Sequence, residues 1–567
     1  MRRVCGAVIV CCALSGLAGN SRNVLLICVD DLKPVLGCYG DQRVKTPNID
    51  RLAKRGVLFE RAFCNQAVCA PSRNALMTGL RPQTIGIYDL PTNFRKSVPD
   101  AVTVAQFFQR YGYRTESMGK ILHVGHGNVD DDASWTVPAW RPKGGGYVLP
   151  ENQKLQQEQV EKAKAAGVKK ERIGSVAKGP PTECAEVDDS AYGDGMIADE
   201  AVRRLRAAAA TPGGPWFMGV GFLKPHLPFN APKKYWDLYR AEDFPLPALR
   251  ELPKGAPEFA GHNSGELRNY SDIPKVGPVD DAMARHLIHG YYAATSFMDA
   301  QLGRVLDALD ETKLAANTII VLWGDHGWHL GDHGLWCKHT NFEQAAHIPL
   351  IVIAPGVTPA GARSRSLVET VDLYPTLCEL AGLPAPQGLD GASFAAALKA
   401  PKAATKDAVF HVFPREGGLL GRAVRTAQYR LVEWKKFGEP AESAVCELYD
   451  YESDPEETRN LASEKPDVVA QLRALLAKQP EAKAQVRATG SGGQAAGAKA
   501  EAGPKKPKQD RNAMFDSRDA NRDGKLTLEE FLKGQPDPEE APKRFPRFDA
   551  NKDGVLSREE FVGGGKK

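Results

Sequence analysis

The chain has 567 residues, of which 42% are hydrophobic and 25% charged, with a net charge of +4. That balance excludes a disordered or fibrous protein, and the length predicts two or three domains. A charge so close to neutral over this length gives no ground for a nucleic-acid or membrane-surface partner.

The first stretch reads as a secretory signal over residues 1–19. Arg2 and Arg3 supply the positive start, residues 4–14 a short apolar run, and residues 16–19 the small side chains of a cleavage site. Export to the periplasm or the extracellular space is expected. The apolar run is too short to span a bilayer and no later run is longer, so no membrane span is expected. Eleven cysteines occur in all. Beyond the signal they are Cys28, Cys38, Cys64, Cys69, Cys184, Cys337, Cys378 and Cys446. Their scatter is not that of a disulfide scaffold, and none has zinc-type spacing; one or two bridges remain open.

Residues 23–31 read NVLLICVDD, a buried strand ending abruptly in Asp30 and Asp31. Residues 318–326 read TIIVLWGDH, the same design ending in Asp325 and His326. Residues 217–222 and 349–353 are further apolar runs, and residues 198–210 and 297–309 have helical patterning. Short buried strands alternating with helices predict an α/β fold, a mostly parallel sheet covered by helices on both faces. Sites in such sheets form at the carboxyl ends of the strands, where these polar residues fall. The main domain is placed at 20–404, with residues 141–190 a polar surface excursion. A smaller α+β unit is placed at 405–478, with strands near 423–433 and 446–451 and a helix near 467–478. Residues 479–512 carry hardly any large apolar side chain and are expected to be a flexible linker. A final unit covers 513–567.

The most informative stretch is Cys69-Ala-Pro71-Ser72-Arg73-Asn-Ala-Leu-Met-Thr78-Gly79. Pro71 suits a first helical turn, which puts Cys69 at a helix N-terminus where backbone donors and the dipole favour an anion. Arg73 adds a guanidinium fork suited to sulfate or phosphate oxygens. The adjacent carboxylates Asp30 and Asp31 repel unless a cation holds them, and hard oxygen donors suggest calcium or magnesium.

This stretch resembles the signature of the type I sulfatases, Cys-x-Pro-Ser-Arg followed by Thr-Gly, in which the cysteine is oxidised to formylglycine. Gly119-Lys120-Ile-Leu-His123 resembles the second signature of that family. Lys224-Pro225-His226-Leu-Pro-Phe and Trp336-Cys337-Lys338-His339 resemble segments that carry a further histidine and lysine. The run from Asp325 to Lys338, with His326 where many members have Asn, is similar to the iduronate-2-sulfatase branch. The resemblance extends to Asp372-Leu-Tyr-Pro-Thr and to Leu448-Tyr-Asp with Asp454, Pro455, Asn460 and Leu461, about residues 22–478 in all.

It implies an alkaline-phosphatase-like fold and calcium held by Asp30, Asp31, Asp325, His326 and the modified Cys69. It also implies sulfate ester hydrolysis by a formylglycine gem-diol. Lys120, Lys338 and Arg73 would stabilise sulfuryl charge, His226 would protonate the leaving alcohol and His123 would act as base on the diol. The implied partners are a sulfated polysaccharide or oligosaccharide, a 2-sulfated uronic acid such as iduronate 2-sulfate being favoured, and a formylglycine-generating maturation enzyme. A formylglycine-dependent phosphonate or phosphate monoester hydrolase and a non-catalytic, calcium-dependent glycan-binding protein are the competing expectations.

The C-terminal unit repeats one pattern. Asp519, Asn521, Asp523, Lys525, Thr527 and Glu530 occupy the ligand positions of a twelve-residue EF-hand loop, with Gly524 at its turn. Asp549, Asn551, Asp553, Val555, Ser557 and Glu560 do so again, with Gly554. Two more calcium ions are expected there, in a structural or docking unit for an unknown partner.

Overall fold

The structure, a computed structural model, describes residues 22–211, 213–486, 511–532, 541–549 and 551–563. The expected signal over 1–19, and residues 487–510 of the expected linker, lie outside them. The chain divides into two compact units, residues 1–494 and 495–567.

The first unit is built on an eight-stranded sheet. Its strands are β1 (Asn23–Val29), β2 (Val57–Phe63), β3 (Arg114–Gly119), β4 (Trp216–Phe222), β5 (Thr318–Gly324), β6 (His347–Ile353), β7 (Ala362–Ser364) and β8 (Val368–Glu369). They run in the order β7-β2-β6-β5-β1-β4-β3, with β8 also paired to β2. β1 lies at the centre, parallel to β4 and β5, with Val24 opposite Phe217 and Ile319. Only β6 runs against its neighbours. Alternation along β1 serves two cores. Val24, Leu26 and Cys28 enter one with Phe59, Trp323 and Leu377, while Leu25, Ile27 and Val29 enter the other with Met218, Met298 and Leu302. Burial on both faces is why these strands read as continuous apolar runs.

Three helices matter for the site: α1 (Cys69–Thr78), α2 (Gly193–Ala210) and α3 (Asp281–Glu311). The sequence pattern marks only the latter parts of α2 and α3, where they pack on the sheet. The first half of α3 instead buries Tyr291 and Tyr292 against Phe229, Phe244 and Trp328, and Asp280 caps its start through the Met283 amide. In the 141–190 excursion the helix Pro150–Ala165 buries no residue. The excursion then returns through Thr182–Ala185, which pairs in parallel with Phe229–Pro232.

The smaller sheet is antiparallel: β9 (Val409–Pro414), β10 (Leu419–Arg425), β11 (Tyr429–Lys436) and β12 (Val445–Asp450). The strand expected near 423–433 is therefore a hairpin, because Thr426 and Tyr429 close a tight turn between two runs of the same apolar character. Helix α4 (Pro466–Leu476) lays Leu472 and Leu476 on Val424, Leu431 and Leu448. Glu343, just before β6, accepts from Arg425 and Arg430 and ties the two sheets together.

The linker expectation needs correction over residues 479–486, which form an ordered strap. Lys483 N donates to Gln83 O (3.0 Å), Val486 N to Gly86 O (2.7 Å) and Tyr88 Oη to Lys483 O (2.7 Å). Hydrogen bonds to its backbone, with ion pairs from Glu481 to Arg422 and Lys435, hold it, so its lack of large apolar side chains is no obstacle. All eight cysteines from Cys28 onward are free thiols. Among the described residues no helix is long and apolar enough to cross a membrane.

In the second unit, Lys525–Thr527 and Val555–Ser557 pair antiparallel with Leu526 opposite Leu556. Phe515, Phe531, Phe545 and Phe561 fill the space beneath them.

Candidate active site

Asp30 and Asp31 follow β1 directly. Asp31 takes a left-handed conformation (φ 60°) that turns the chain off the sheet edge. Tyr291 of α3 pins the turn, its hydroxyl donating to Asp31 O (2.8 Å) and accepting from Lys33 N (2.9 Å). The neighbouring β5 ends in step: Asp325 N donates to Val29 O (3.1 Å), and Asp31 N to Asp325 Oδ1 (3.0 Å).

Helix α1 aims its N-terminus at this edge. Val68 is extended and the helix begins at Cys69. Arg73 is fully buried, with Nε on Asp325 Oδ2 (2.9 Å), Nη2 on Asp30 Oδ1 (3.1 Å) and Nη1 on the carbonyls of Lys120 and Ile121. The fork expected to face sulfate oxygens is thus spent on holding two carboxylates and the end of β3. Lys120 donates to Asp30 Oδ2. Lys338 follows the short hairpin His329–Leu330 and Trp336–Cys337, and its ammonium lies 3.2 Å from both oxygens of Asp31 and 4.9 Å from the Trp328 ring centroid.

Cys69 is 3% exposed, with Sγ 3.4 Å from His326 Nε2. Burial, reinforced by Asp30, pushes its thiol up to about 12. His326 donates from Nδ1 to Gly327 O (3.0 Å), and its Nε2 lies 3.3 Å from Asp31 Oδ1 and 3.6 Å from Asp325 Oδ1. One atom each from Asp30, Asp31, Cys69 and His326 lies within 4.8 Å of all the others. This donor set fits a divalent cation. Burial pushes Asp31 well above the usual carboxylate range despite Lys338, and Asp325 upward despite His326 and Arg73. Against the same cost of burial, Lys120 and Arg73 hold Asp30 well below it. The protein's own cations therefore leave part of the carboxylate charge uncompensated, a deficit a divalent ion removes. With Asp325 alongside, three carboxylates suit calcium or magnesium, and the imidazole nitrogen and the Cys69 sulfur are the donors outside their usual oxygen shell.

His226 stands across the site after the segment that follows β4. Nδ1 donates to Leu227 O (2.5 Å), and Nε2 lies 3.3 Å from Glu266 Oε1 and 3.9 Å from Asp31 Oδ2. Burial, then Lys338, pushes it down to about 3. His123 is buried and pairs with His126 (Nε2 to Nδ1, 3.1 Å), the two rings stacked; burial and then Lys120 push it down to about 2. Thus Cys69, Arg73, Lys120, His226, Lys338, Asp30, Asp31, Asp325 and His326 form one connected cluster, with His123 beside Lys120. Sequence reasoning missed Glu266, whose Oε1 accepts from Lys338 Nζ (2.8 Å), and Lys178, whose charged neighbours are Glu266, Lys338 and Lys120. Glu266 lies in the short helix Gly265–Arg268 and Lys178 in a loop, with no motif around either.

The second unit holds two loops of a different kind. Asp519 accepts from Asp523 N (3.2 Å) and Gly524 N (2.9 Å), and Asp549 from Asp553 N (3.2 Å) and Gly554 N (3.0 Å). Asn521 and Asn551 each accept from the amide two residues on. Glu530 and Glu560 fold back onto Thr527 and Ser557. Gly524 (φ 81°) and Gly554 (φ 83°) occupy the left-handed turn. Lys525 and Val555 can offer only main-chain carbonyls.

Comparison with known proteins places these features together. The Sulfatase family model matches residues 22–383, a model described as N-sulphoglucosamine sulphohydrolase, C-terminal, matches 331–483, and an EF-hand model matches 512–533 and 543–562. The chain is 38% identical over 414 residues to the iduronate 2-sulfatase of Mus musculus, an alignment covering 66% of this chain and 72% of that protein. A protein solved with its substrate D-glucosamine-2-N,6-O-disulfate superposes with a TM-score of 0.63 at 21% identity, covering 81% of this chain and 97% of its own. The phosphonate monoester hydrolase of Agrobacterium radiobacter does so with a TM-score of 0.61 at 24% identity, covering 81% and 95%. At those identities the two structures speak for the fold alone. The chain belongs to the sulfatase family, as a sulfuric ester hydrolase whose catalytic region is like iduronate 2-sulfatase and is followed by a pair of EF hands.

Proposed function

We propose that this sulfatase removes the 2-sulfate of a uronic acid in a sulfated glycan, with Cys69 converted to formylglycine and one calcium held by Asp30, Asp31, Asp325 and His326. The observation that carries this reading is Cys69 itself. A buried thiol pushed up to about 12 is no nucleophile at neutral pH. Yet it stands at the N-terminus of α1, 3.4 Å from His326 Nε2, among the carboxylates. The position is built for chemistry that the thiol cannot perform.

Once installed, the formylglycine supplies the oxygen nucleophile and calcium the electrophilic pull on the sulfuryl oxygens. Arg73 fixes Asp30 and Asp325 relative to each other and to β3. Lys120 and Lys338 bring ammonium charge to the sulfuryl oxygens. His226, with Lys338, supplies the proton to the departing alcohol oxygen; the anionic ester offsets the burial that holds this imidazole neutral. His123, paired with His126, takes the proton from the residue at position 69. Among the described residues no carboxylate lies within ion-pair distance of Lys178, a half-buried cation at the same site. It suits a second anionic group on the substrate, as a uronate carboxylate would be.

The remaining parts follow the same reading. The protein is exported, matured by a formylglycine-generating enzyme, and carries two more calcium ions in a C-terminal docking unit. The catalytic domain spans 20–404 and the smaller domain 405–478. The likeness in fold to a phosphonate monoester hydrolase keeps phosphorus esters as the second reading.

Mass spectrometry of the tryptic peptide 62–73 is the first test, followed by release of sulfate from a 2-sulfated uronate disaccharide and hydrolysis of a phosphonate monoester. An aldehyde at position 69 with preference for the sulfate ester is expected. An unmodified thiol after co-expression with a maturation enzyme would remove the nucleophile, and preference for the phosphonate would replace the substrate.

A further inference from the structure

Lys338 sits in an uncomfortable backbone. Its neighbours Cys337 (φ 74°) and His339 (φ 48°) are both left-handed, a conformation that non-glycine residues hold only where their surroundings impose it. The surroundings here include one segment, residues 262–266, which runs into the short helix Gly265–Arg268. His262 donates from Nε2 to Lys338 O (3.2 Å) while its Nδ1 accepts from Ser264 N (2.9 Å). Ser264 Oγ accepts from Trp336 N (3.0 Å), and Glu266 Oε1 accepts from Lys338 Nζ (2.8 Å). The segment is itself fastened: Leu267 is buried beside Trp336 and Cys337, and Arg268 donates to Asn263 O and Gly277 O (both 2.6 Å).

Charge balance alone does not require Glu266. Asp31 already offers both oxygens to Lys338 at 3.2 Å. What Glu266 adds is a link, since the Oε1 that accepts from Lys338 also lies 3.3 Å from His226 Nε2. One oxygen thereby sets the separation of a lysine that follows β5 and a histidine that follows β4.

We propose that Glu266 is a positioning residue for sulfate ester cleavage, holding Lys338 and His226 in register on the leaving-group side of the site. The inference rests on the reading of that pair as the source of the leaving-group proton. It is tested on the full chain with Glu266→Gln, Glu266→Asp, Lys338→Ala and the double variant Glu266→Gln/Lys338→Ala. Two substrates are used, a 2-sulfated uronate disaccharide with a poor leaving group and 4-nitrophenyl sulfate with a good one. Glu266→Gln is expected to lower kcat on the sugar sulfate by about 100-fold, with KM changed only a few-fold, and to cost the aryl sulfate under about tenfold. Glu266→Asp should recover part of the loss, and serves in place of the Gln variant if that one folds poorly. In the Lys338→Ala background the Glu266 substitution should cost no more than about twofold. Full additivity of the two substitutions, or an unchanged kcat, would overturn the role of Glu266. Non-additivity with equal losses on both esters would keep Glu266 as the positioning residue and remove the leaving-group role of the pair.

Discussion

The catalytic centre and the EF-hand loops both gather carboxylates about a point, by opposite means. In the EF hands each set comes from twelve consecutive, mostly exposed residues, and Asp519 and Asp549 are satisfied by amides of their own loop. In the catalytic centre, Asp30, Asp31 and Asp325 are buried, and their partners arrive from α1, from the end of β3 and from the loop bearing Lys338. A solvated loop can lose a ligand and remain folded. A buried cluster cannot lose a partner without stranding a charge, so its geometry and its stability are one property.

The contrast can be broken most sharply at Cys69. On the proposed mechanism Cys69→Ala removes the source of the nucleophile, and activity should fall by about 10⁴- to 10⁶-fold with calcium binding to the EF hands unaltered, as steady-state assay and calorimetry would record. Next is Arg73→Met, which leaves Asp30 and Asp325 facing each other. It should destabilise the catalytic unit by about 3–5 kcal/mol in denaturant unfolding, whereas an equal cost from removing an exposed EF-hand charge would erase the distinction. Glu530→Gln with Glu560→Gln should weaken calcium binding to the C-terminal unit by about tenfold or more. The melting of the catalytic unit and its sulfatase rate should stay put. The smallest effect is expected from Lys178→Gln: roughly a fivefold rise in KM for a sulfated uronate, about 1 kcal/mol, and none for an uncharged aryl alcohol sulfate.

The same contrast explains what could be read beforehand. An EF-hand loop keeps its whole pattern within one window of sequence, so the motif and its turn glycine were legible. Asp30, Asp31 and Asp325 could be singled out because they stand where apolar strands close, and Cys69 because a helix starts there. Partners were not. That Arg73 faces Asp30 and Asp325 rather than solvent depends on the order in which β1, β5 and β3 are laid side by side. Glu266 depends on the short helix Gly265–Arg268 being carried to Lys338, 72 residues further along the chain. Residues 479–486 escaped for another reason, because backbone groups and the polar side chains of Glu481 and Gln485 hold the strap, and composition is blind to such partners.

That strap carries a mechanical consequence. The chain passes through β12 and α4 and then runs back along residues 83–88 before continuing towards the EF hands. A pull on the C-terminal extension, such as attachment to a matrix or cell surface would exert, meets the strap's hydrogen bonds to the larger domain before it meets the small sheet. The load passes into the part of the molecule with the deepest core, and the smaller sheet is spared from being peeled away.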